Sequence, residues 1–367
     1  MYINKLQLFN FKNHESHSME LKSGVNIITG NNGVGKTNCL DAVHCLSNGK
    51  SYFTSMDSQL IRHKSEFFTI KAQFSEIGSE DQTEILIQFD KGKKTIKKNG
   101  KSYPKLSDHI GFIQTVMITP YDIELVLGNS EERRRYFDLL ISQLSSEYLH
   151  HLMTYKKAME QRNSLLKSWA GRHFDSDLLE SYDYKITPSA QFIHQTRATV
   201  TESLLPIFKR IYTALTHSEE QADIRYFSPL QEGDFKELLR LNQRNDILAE
   251  RTTVGPHKDD WNFELNGNPL KKFGSQGQIK SFVIALKIAQ YRFFQEKLGM
   301  TPILLLDDIF EKIDESRAQK LMELVESEGF GQIIITDTHP ERVEKHLKQL
   351  NGIHNHLTIG DRESISS

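Results

Sequence analysis

The sequence predicts an α/β fold with an antiparallel β region near the amino end and a helical region in the middle. Three observations predict it. Short apolar runs and the turn dipeptide Asn99-Gly100 indicate strands in the first third of the chain. Apolar residues at three- and four-residue spacing indicate helices between residues 131 and 248. After residue 300, continuous apolar strands alternate with helices, which is typical of a parallel sheet covered on both faces.

In the first third, the pattern predicts five β runs, at 3–9, 25–28, 67–74, 84–89 and 95–98. One helix follows the second run, over 37–47. In the middle, the apolar spacing predicts four helices, at 131–144, 148–169, 192–215 and 235–248. Pro188 and Pro206 are expected at helix starts or breaks, because proline lacks the N–H of a helical hydrogen bond.

After residue 300, two buried strands are predicted, over 302–306 and 332–335. Asp314 is a good N-cap for a helix over 315–328, and Pro340 suits the first position of another helix. The predicted domain limits are a first lobe with a β-meander over 1–115, a helical second lobe over 116–265, and a return to the first lobe over 266–367.

The composition is that of a globular protein without a targeting or membrane segment. The 367 residues include 46 basic and 48 acidic side chains, for a formal net charge of −2. That balance excludes a wholly basic nucleic-acid coat protein but allows a local basic surface. No apolar run approaches the roughly 20 residues of a membrane span. Two cysteines, Cys39 and Cys45, favour a reducing compartment. We expect a cytoplasmic protein with no membrane partner.

A phosphate-binding loop is predicted where the second β run ends. The motif G-x-x-x-x-G-K-[ST] is matched at every fixed position by Gly30, Asn31, Asn32, Gly33, Val34, Gly35, Lys36 and Thr37. In such a loop the glycines let backbone N–H groups wrap the phosphates. Lys36 is expected to reach the β- and γ-phosphates of a nucleoside triphosphate, and the Thr37 hydroxyl to bind Mg²⁺.

Two carboxylates follow the apolar strand at 302–306. A buried strand needs no acid for packing, so Asp307 and Asp308 are expected to point at the phosphate site. Asp307 is expected to hold Mg²⁺, directly or through a water, together with Thr37. Asp308 is expected to orient or deprotonate the attacking water. The candidate catalytic residues are therefore Asp308 and Lys36.

A second glycine-rich turn, at 274–278, precedes a basic and apolar helix over 280–294. Its residues, which include Ser275, Gly277 and Gln278, form a candidate γ-phosphate cradle at the amino end of the helix. Because the chain already has one cradle, the second is expected to cap ATP bound to another copy, as a homodimer. His339, after the strand at 332–335, is a further candidate contact to the γ-phosphate. This order of motifs is typical of an ABC-type ATPase head.

The sequence resembles the bacterial RecF family, which is related to SMC-type ATPase heads. The similarity runs through most of the chain and is carried by eight segments, at 8–13, 30–38, 132–138, 161–167, 253–260, 274–280, 305–310 and 336–339. The resemblance implies ATP-dependent dimers that bind single- and double-stranded DNA at gaps or junctions. It also implies slow ATP hydrolysis as a switch, a nucleoid-associated location, and RecR and RecO as partners in loading recombinase during recombinational repair and replication restart.

Some features depart from general ABC heads. The second acid is Asp308 where many relatives have glutamate, and the shorter side chain is expected to slow turnover. The equivalent of the usual Q-loop glutamine stays open among Gln114, Thr119 and Asp122. The segment 255–260 lacks metal-ligand spacing and is interpreted as a structural turn.

Seven lysines lie between residues 91 and 105, with no acid among them. On a hairpin turning at Asn99-Gly100, several are expected to share one face that binds DNA phosphates. We interpret four of them as DNA-binding candidates: Lys93, Lys94, Lys97 and Lys98. A solvated edge strand, on which lysines prevent aggregation, is the alternative. Two further basic groups, at 133–135 and 156–167, are also candidates.

Three other classes share part of this pattern. A transporter's ATPase subunit has the same head motifs, but the long gap between Lys36 and Ser275 and the lysine-rich hairpin disfavour it. An SMC-like or nuclease-partner ATPase needs hundreds of residues of heptads between its half-motifs, for which this chain has no room. A metabolic P-loop kinase would not need the second cradle.

Overall fold

The computed structural model describes residues 1–76, 78, 81–169, 175–216, 220–312, 315–327, 329–339, 341, 343, 345 and 354–360. The described residues form fourteen strands: β1 (Tyr2–Phe11), β2 (His14–Glu20), β3 (Val25–Thr29), β4 (Phe67–Ser75), β5 (Gln82–Asp90), β6 (Lys93–Lys98), β7 (Lys101–Ser102), β8 (Thr115–Ile118), β9 (Ala222–Phe227), β10 (Asp260–Leu265), β11 (Asn268–Pro269), β12 (Ile303–Asp307), β13 (Ile333–Asp337) and β14 (His354–Thr358). They also form ten α-helices: α1 (Lys36–Asn48), α2 (Glu124–Leu127), α3 (Ser130–Leu144), α4 (Ser146–Ser168), α5 (Ser176–Thr216), α6 (Phe235–Ala249), α7 (Leu270–Phe273), α8 (Gln276–Leu298), α9 (Ile309–Lys312) and α10 (Glu315–Ser327).

The chain divides into two compact units. The first contains Met1–Asp122, Arg210–Glu219 and Gln276–Ser367, and the second contains Ile123–Lys209 and Glu220–Ser275. The lobe limits that the sequence suggests, 1–115, 116–265 and 266–367, stay predictions. Within the described ranges, no helix combines the length and the hydropathy that crossing a membrane requires.

The first unit contains a five-stranded parallel sheet, in the order β14-β3-β13-β12-β8. Every residue of β12 and of β13 is buried, as expected for continuous apolar strands with cover on both faces. Helix α1 packs against β8, β12 and β13, and α8 packs against β8. The predicted parallel sheet is confirmed, and the next residues after its strands carry the candidate site.

A second sheet of the first unit is antiparallel, with six strands in the order β2-β1-β4-β5-β6-β7. Its inward residues alternate along the strands and share one core with α1; Ile70 and Ile87 are examples. The turn between β6 and β7 has φ of 48° at Asn99 and 78° at Gly100. Two positive φ values are what a tight two-residue hairpin turn needs, so the predicted hairpin and antiparallel region are confirmed.

The second unit is helical, as the sequence predicts, but it also contains a small antiparallel sheet in the order β11-β10-β9. Sequence reasoning missed this sheet because β9 is short and carries charged residues, Asp223 and Arg225, between its apolar ones. The sheet is anchored by Trp261 of β10, which is buried and stacks on Phe137 of α3 with ring centroids 4.0 Å apart.

The prediction that Pro188 and Pro206 mark helix starts or breaks is wrong. Both lie inside the 41-residue helix α5. An internal proline costs about 3 kcal/mol, but α5 buries an apolar face that includes Ile186 and Ile193, and burial of that size offsets the cost. The proposed cap Asp314 and helix start Pro340 lie outside the described residues and stay predictions.

Candidate nucleotide-binding site

The parallel sheet brings several candidates to one edge. Asp307 of β12 lies opposite Thr336 of β13, and Asp337 lies opposite Thr29 of β3. Because Thr29, Asp307 and Asp337 each end a strand, the segments that follow them leave the sheet at its carboxyl edge. Ligands bind at this edge in open parallel sheets.

The phosphate loop, residues 30–35, joins β3 to α1 in a conformation that requires glycine at two positions. Gly30 has φ of 151°, and a Cβ there would lie 2.4 Å from the carbonyl oxygen of Ile359. Gly35 has φ of 109°, and a Cβ there would lie 2.5 Å from Nε2 of His14. Lys36 Nζ donates to the carbonyl oxygens of Gly30 and Asn31, at 2.8 and 3.0 Å. The loop therefore curls around the lysine ammonium.

An open cavity of about 200 Å³ lies over this loop. It is lined by Asn32, Gly33, Gly35, Lys36, Thr37, Asn38 and Asp308. Val34 instead packs against the apolar core, and Gly30 and Asn31 act through the carbonyl groups that hold Lys36. The lysine ammonium and the amino end of α1 give the cavity positive charge, which suits a phosphate chain.

The turn between β1 and β2 supports the loop from outside the motif. Asn13 Nδ2 donates to the carbonyl oxygen of Gly33 at 3.1 Å, and Asn13 Oδ1 accepts from Asn38 Nδ2 at 2.7 Å. His14 Nε2 lies 3.1 Å from the carbonyl oxygen of Gly35. Burial lowers the pKa of His14, which favours the neutral ring. Sequence reasoning missed these contacts, although Asn13 lies in a segment that carries the family resemblance.

Asp307 is the centre of a hydrogen-bonded group at the carboxyl edge. Its Oδ1 accepts from Thr37 Oγ1 and from Thr336 Oγ1, both at 2.8 Å. The Asp307 side chain is buried, and burial raises its pKa, while the two donated hydrogen bonds oppose the rise. The two predicted Mg²⁺ ligands, Thr37 and Asp307, are therefore in direct contact.

Asp308 lies next to that group and faces the cavity. Its backbone is left-handed, with φ of 43°, a conformation that aspartate tolerates better than most residues. Its backbone N–H donates to Thr336, to the carbonyl oxygen at 3.2 Å and to Oγ1 at 3.1 Å. Thr336 thus positions both acids, a role that the sequence pattern does not reveal.

The second glycine-rich turn begins α8 and does not contribute to this cavity. Ser275 is exposed and precedes the helix, and neither Gly277 nor Gln278 lines the cavity over the phosphate loop. A Cβ at Gly277 would lie 2.8 Å from Nη1 of Arg317, so only glycine fits there without moving the arginine. The first turn of α8 contains no acid, which leaves its helix terminus suited to an anion.

His339 follows β13 by two residues and is exposed. Its backbone N–H donates to Asp337 Oδ1 at 2.7 Å, and its Nδ1 lies 2.8 Å from the hydroxyl oxygen of Thr338. The ring leaves the sheet at the same edge as the phosphate loop, but it does not line the cavity.

The three Q-loop candidates separate by position. Gln114 precedes β8, and its backbone carbonyl accepts from the N–H of Ile303. It therefore lies at the amino edge of the sheet, opposite to the edge with the phosphate loop. Thr119 follows β8 at the carboxyl edge, and among the described residues its buried hydroxyl has no hydrogen-bond partner. Asp122 forms a buried ion pair with Lys287 at 2.9 Å. Of the two candidates that follow β8, Thr119 is the one outside this ion pair, and the Q-loop assignment stays a prediction.

The four lysines that the sequence groups together do not share one face. Lys93 and Lys97 alternate along β6 with Lys94 and Lys98. Lys94 Nζ pairs with Asp57 at 2.7 Å, and Lys98 Nζ lies 3.7 Å from the ring centroid of Phe112. The four lysines therefore divide into two pairs on opposite faces, because the period of two in a strand sends neighbouring side chains to opposite sides. Their role in binding DNA stays a prediction.

Comparisons with known proteins agree with this geometry. Residues 2–358 match the family model described as the RecF/RecN/SMC N terminal domain. A DNA replication and repair protein RecF of Flavobacterium johnsoniae is 48% identical over 95% of this chain and 97% of its own length. The protein of the same name from Cytophaga hutchinsonii is 40% identical over 93% of this chain and 90% of its own.

Solved structures give the same relationship. The recombination mediator protein RecF-ATP in the RecFOR pathway matches with a TM-score of 0.84 and 30% identity, covering 92% of each chain. An Smc head domain from Pyrococcus furiosus, at 17% identity and a TM-score of 0.54, shares the fold, covering 94% of this chain and 91% of its own. The fold is thus that of an ABC-type ATPase head, and this chain belongs to the RecF family.

Proposed function

We propose that this protein is an ATP-dependent DNA-binding protein of recombinational repair and replication restart, and that ATP makes it dimerise. The hydrogen bond of 2.8 Å between Thr37 and Asp307 carries the nucleotide part of the proposal. It places a hydroxyl and a carboxylate, both suitable Mg²⁺ ligands, beside the open cavity over the phosphate loop. The DNA part is supported by relatives that are named DNA replication and repair proteins and cover nearly the whole chain.

Mg²⁺ fits the pair of Thr37 and Asp307. This ion is commonly held by one or two carboxylates together with waters and substrate phosphates. Asp307 is 3% exposed, and a divalent cation would offset the burial that raises its pKa. The ion would supply neutralisation of the charge on the β- and γ-phosphates.

The remaining roles follow from position. The N–H groups of residues 30–35 would wrap the phosphates, and Lys36 would exchange its loop carbonyls for phosphate oxygens. Asp308 would orient the attacking water from the cavity wall, and His339 would approach the γ-phosphate from the same sheet edge. Thr119 is the candidate for the Q-loop position.

A second copy of the chain would complete the site. Ser275 is exposed, and the helix it precedes has no acid in its first turn. Ser275, Gly277 and Gln278 would therefore bind the γ-phosphate held by the other protomer. ATP would then link two copies, and slow hydrolysis would release them, with Asp308 in place of a longer glutamate limiting the rate.

The DNA would be a single-strand gap or a junction between single- and double-stranded segments. RecR and RecO are the proposed protein partners, in line with a structural relative of the RecFOR pathway. Loading of recombinase onto the single strand would be the outcome.

The test measures association and turnover together. Sedimentation velocity of the full chain, with and without ATP and Mg²⁺, is combined with ATPase assays in the presence and absence of gapped duplex DNA. We expect dimers only with ATP, and faster hydrolysis with DNA. A chain that hydrolyses ATP but is indifferent to DNA would instead be an ATPase subunit of the transporter type.

A further inference from the structure

The end of the lysine-rich hairpin forms a cavity of its own. Its volume is about 360 Å³. It is lined by Lys98, Asn99, Lys101, Ser102, Tyr103 and Pro104. The lining combines an apolar surface, from the tyrosine and the proline, with two ammonium groups and no carboxylate.

The two lysines of the cavity repel one another. Lys98 lies directly opposite Lys101 in the β6–β7 pair, and like charges opposite each other destabilise a hairpin. Across the described ranges, no carboxylate forms a salt bridge with either, whereas Lys94, in the same strand, pairs with Asp57. Lys98 Nζ instead lies over the ring of Phe112. An anion between the two ammonium groups would relieve the repulsion.

The aromatic wall of the cavity is held in place. The ring of Tyr103 meets the ring of His109 edge to face, with centroids 5.2 Å apart. His109 is fully buried and its Nε2 lies 2.5 Å from the carbonyl oxygen of Leu46. The backbone N–H of Tyr103 donates to Ile96 at 3.0 Å. A fixed, half-buried ring beside open space is a preorganised surface for stacking.

We infer that this cavity binds one nucleotide unit of single-stranded nucleic acid, with the phosphate between Lys98 and Lys101 and the base on Tyr103. Base–aromatic stacking needs an unpaired base, which a duplex does not offer. An acidic peptide would use the ammonium groups but not the ring. The inference deepens the proposed function and rests on it, because it assigns a place for the single-stranded side of a gap.

The stacking part is tested by fluorescence anisotropy of the full chain with ATP, using a labelled oligothymidylate and a labelled duplex of equal length. Tyr103→Leu keeps much of the packing volume but removes the π face. We expect about tenfold weaker binding of the single strand and less than about a twofold change for the duplex. Tyr103→Phe is the matched control and should bind both like the wild type.

The charge part compares two double variants. Lys98→Gln with Lys101→Gln should lower the slope of log affinity against log salt by about 0.7 for the single strand, the loss of one phosphate contact. Lys22→Gln with Lys64→Gln removes the same charge from exposed positions outside the cavity and should leave the slope near that of the wild type.

The outcomes separate the inference from the proposed function. Wild-type protein that binds neither nucleic acid overturns both. Wild-type binding that Tyr103→Leu leaves unchanged, or a duplex weakened as much as the single strand, overturns the inference alone. Equal slopes for the two lysine pairs also overturn it. If Tyr103→Leu fails to fold in thermal melting, the lysine comparison decides.

Discussion

The carboxyl edge of the parallel sheet and the interior of the second unit both gather charged side chains, with different results. At the sheet edge, the ammonium of Lys36 is held by two loop carbonyls and lines an open cavity. In the second unit, Arg197 is buried and donates to carboxylates of Asp138 and Asp259, at 2.7 and 2.6 Å. The first charge faces the space for a ligand, and the second is neutralised inside the fold.

The segments at 161–167 and 253–260 belong to such internal networks. Arg162 is fully buried and donates to Asp183 and Asp246, at 2.6 and 2.7 Å. His257 bonds to the Tyr155 hydroxyl at 2.8 Å, and burial lowers the pKa of His257 to about 4. Arg133 pairs with Asp260 at 2.7 Å. The type of residue therefore does not reveal its role; what matters is whether the fold already supplies the opposite charge.

The largest expected effect is on the stability of the second unit. Arg197→Met leaves two buried carboxylates without their cation, and we expect the free energy of unfolding to fall by about 3–5 kcal/mol. Urea unfolding, followed through the buried Trp261 of the same unit, measures it. Arg240→Met is the control, since Arg240 pairs with Glu237 on the exposed surface of α6, and its change should be far smaller. Equal changes would contradict the claim that the buried pairs of Arg197 stabilise the second unit more than an exposed ion pair does.

At the sheet edge, removal of the lysine should affect ligand binding rather than folding. Lys36→Ala loses the ammonium in the phosphate cavity, and we expect ATP affinity to fall on the order of 10- to 100-fold. Titration calorimetry with ATP and Mg²⁺ measures the affinity. Lys22→Ala, an exposed lysine that precedes the amino end of β3, should bind ATP like the wild type. Normal affinity in Lys36→Ala would remove the loop from the site.

The part of the site that a local motif encodes could be predicted from the sequence. The phosphate loop, Asp307 and Asp308 all lie at the carboxyl edge, because the loop and Asp308 each follow a buried strand, Asp307 ends one, and parallel strands end together. Their roles in binding nucleotide stay predictions. The hairpin could also be predicted from a local signal, since two adjacent residues, Asn99 and Gly100, determine its turn.

The rest depends on contacts between distant residues. Asn13 and His14 hold the phosphate loop from about twenty positions away, and no local pattern links them to Gly33 or Gly35. The sequence pattern does not predict that α5 continues through Pro188, because the free-energy cost of the internal proline is offset by burial of apolar side chains against the rest of the fold. The arginines at 133–135 and Arg162 were candidates for DNA because the sequence does not reveal the carboxylates that neutralise Arg133 and Arg162.

A smaller effect is expected at the glycine-rich turn before α8, which is proposed to bind the ATP held by a second copy of the chain. Ser275→Arg adds a bulky cation to an exposed turn, so ATP affinity should stay near that of the wild type while ATP-dependent dimerisation weakens at least about tenfold. Sedimentation velocity at several protein concentrations measures it. Ser181→Arg, at an exposed position of α5, is the matched control. Unchanged dimers in Ser275→Arg would refute the proposed role of the turn in a second copy.

The smallest effects are expected from two lysines of β6, Lys94 and Lys97, whose side chains lie on opposite faces of the strand. Lys94 is 10% exposed and pairs with Asp57, so Lys94→Gln should cost about 1 kcal/mol of stability and leave the salt dependence of DNA binding unchanged. Lys97 points to the other face, opposite Leu86 and Ser102, so Lys97→Gln should leave stability unchanged. It should instead lower the salt slope for duplex DNA by about 0.9, the loss of one phosphate contact. Thermal melting and anisotropy at four salt concentrations measure both. If the two variants behave alike, the two faces of β6 do not differ in their contributions to stability and to DNA binding. The interpretation of the hairpin as a solvated edge then gains support.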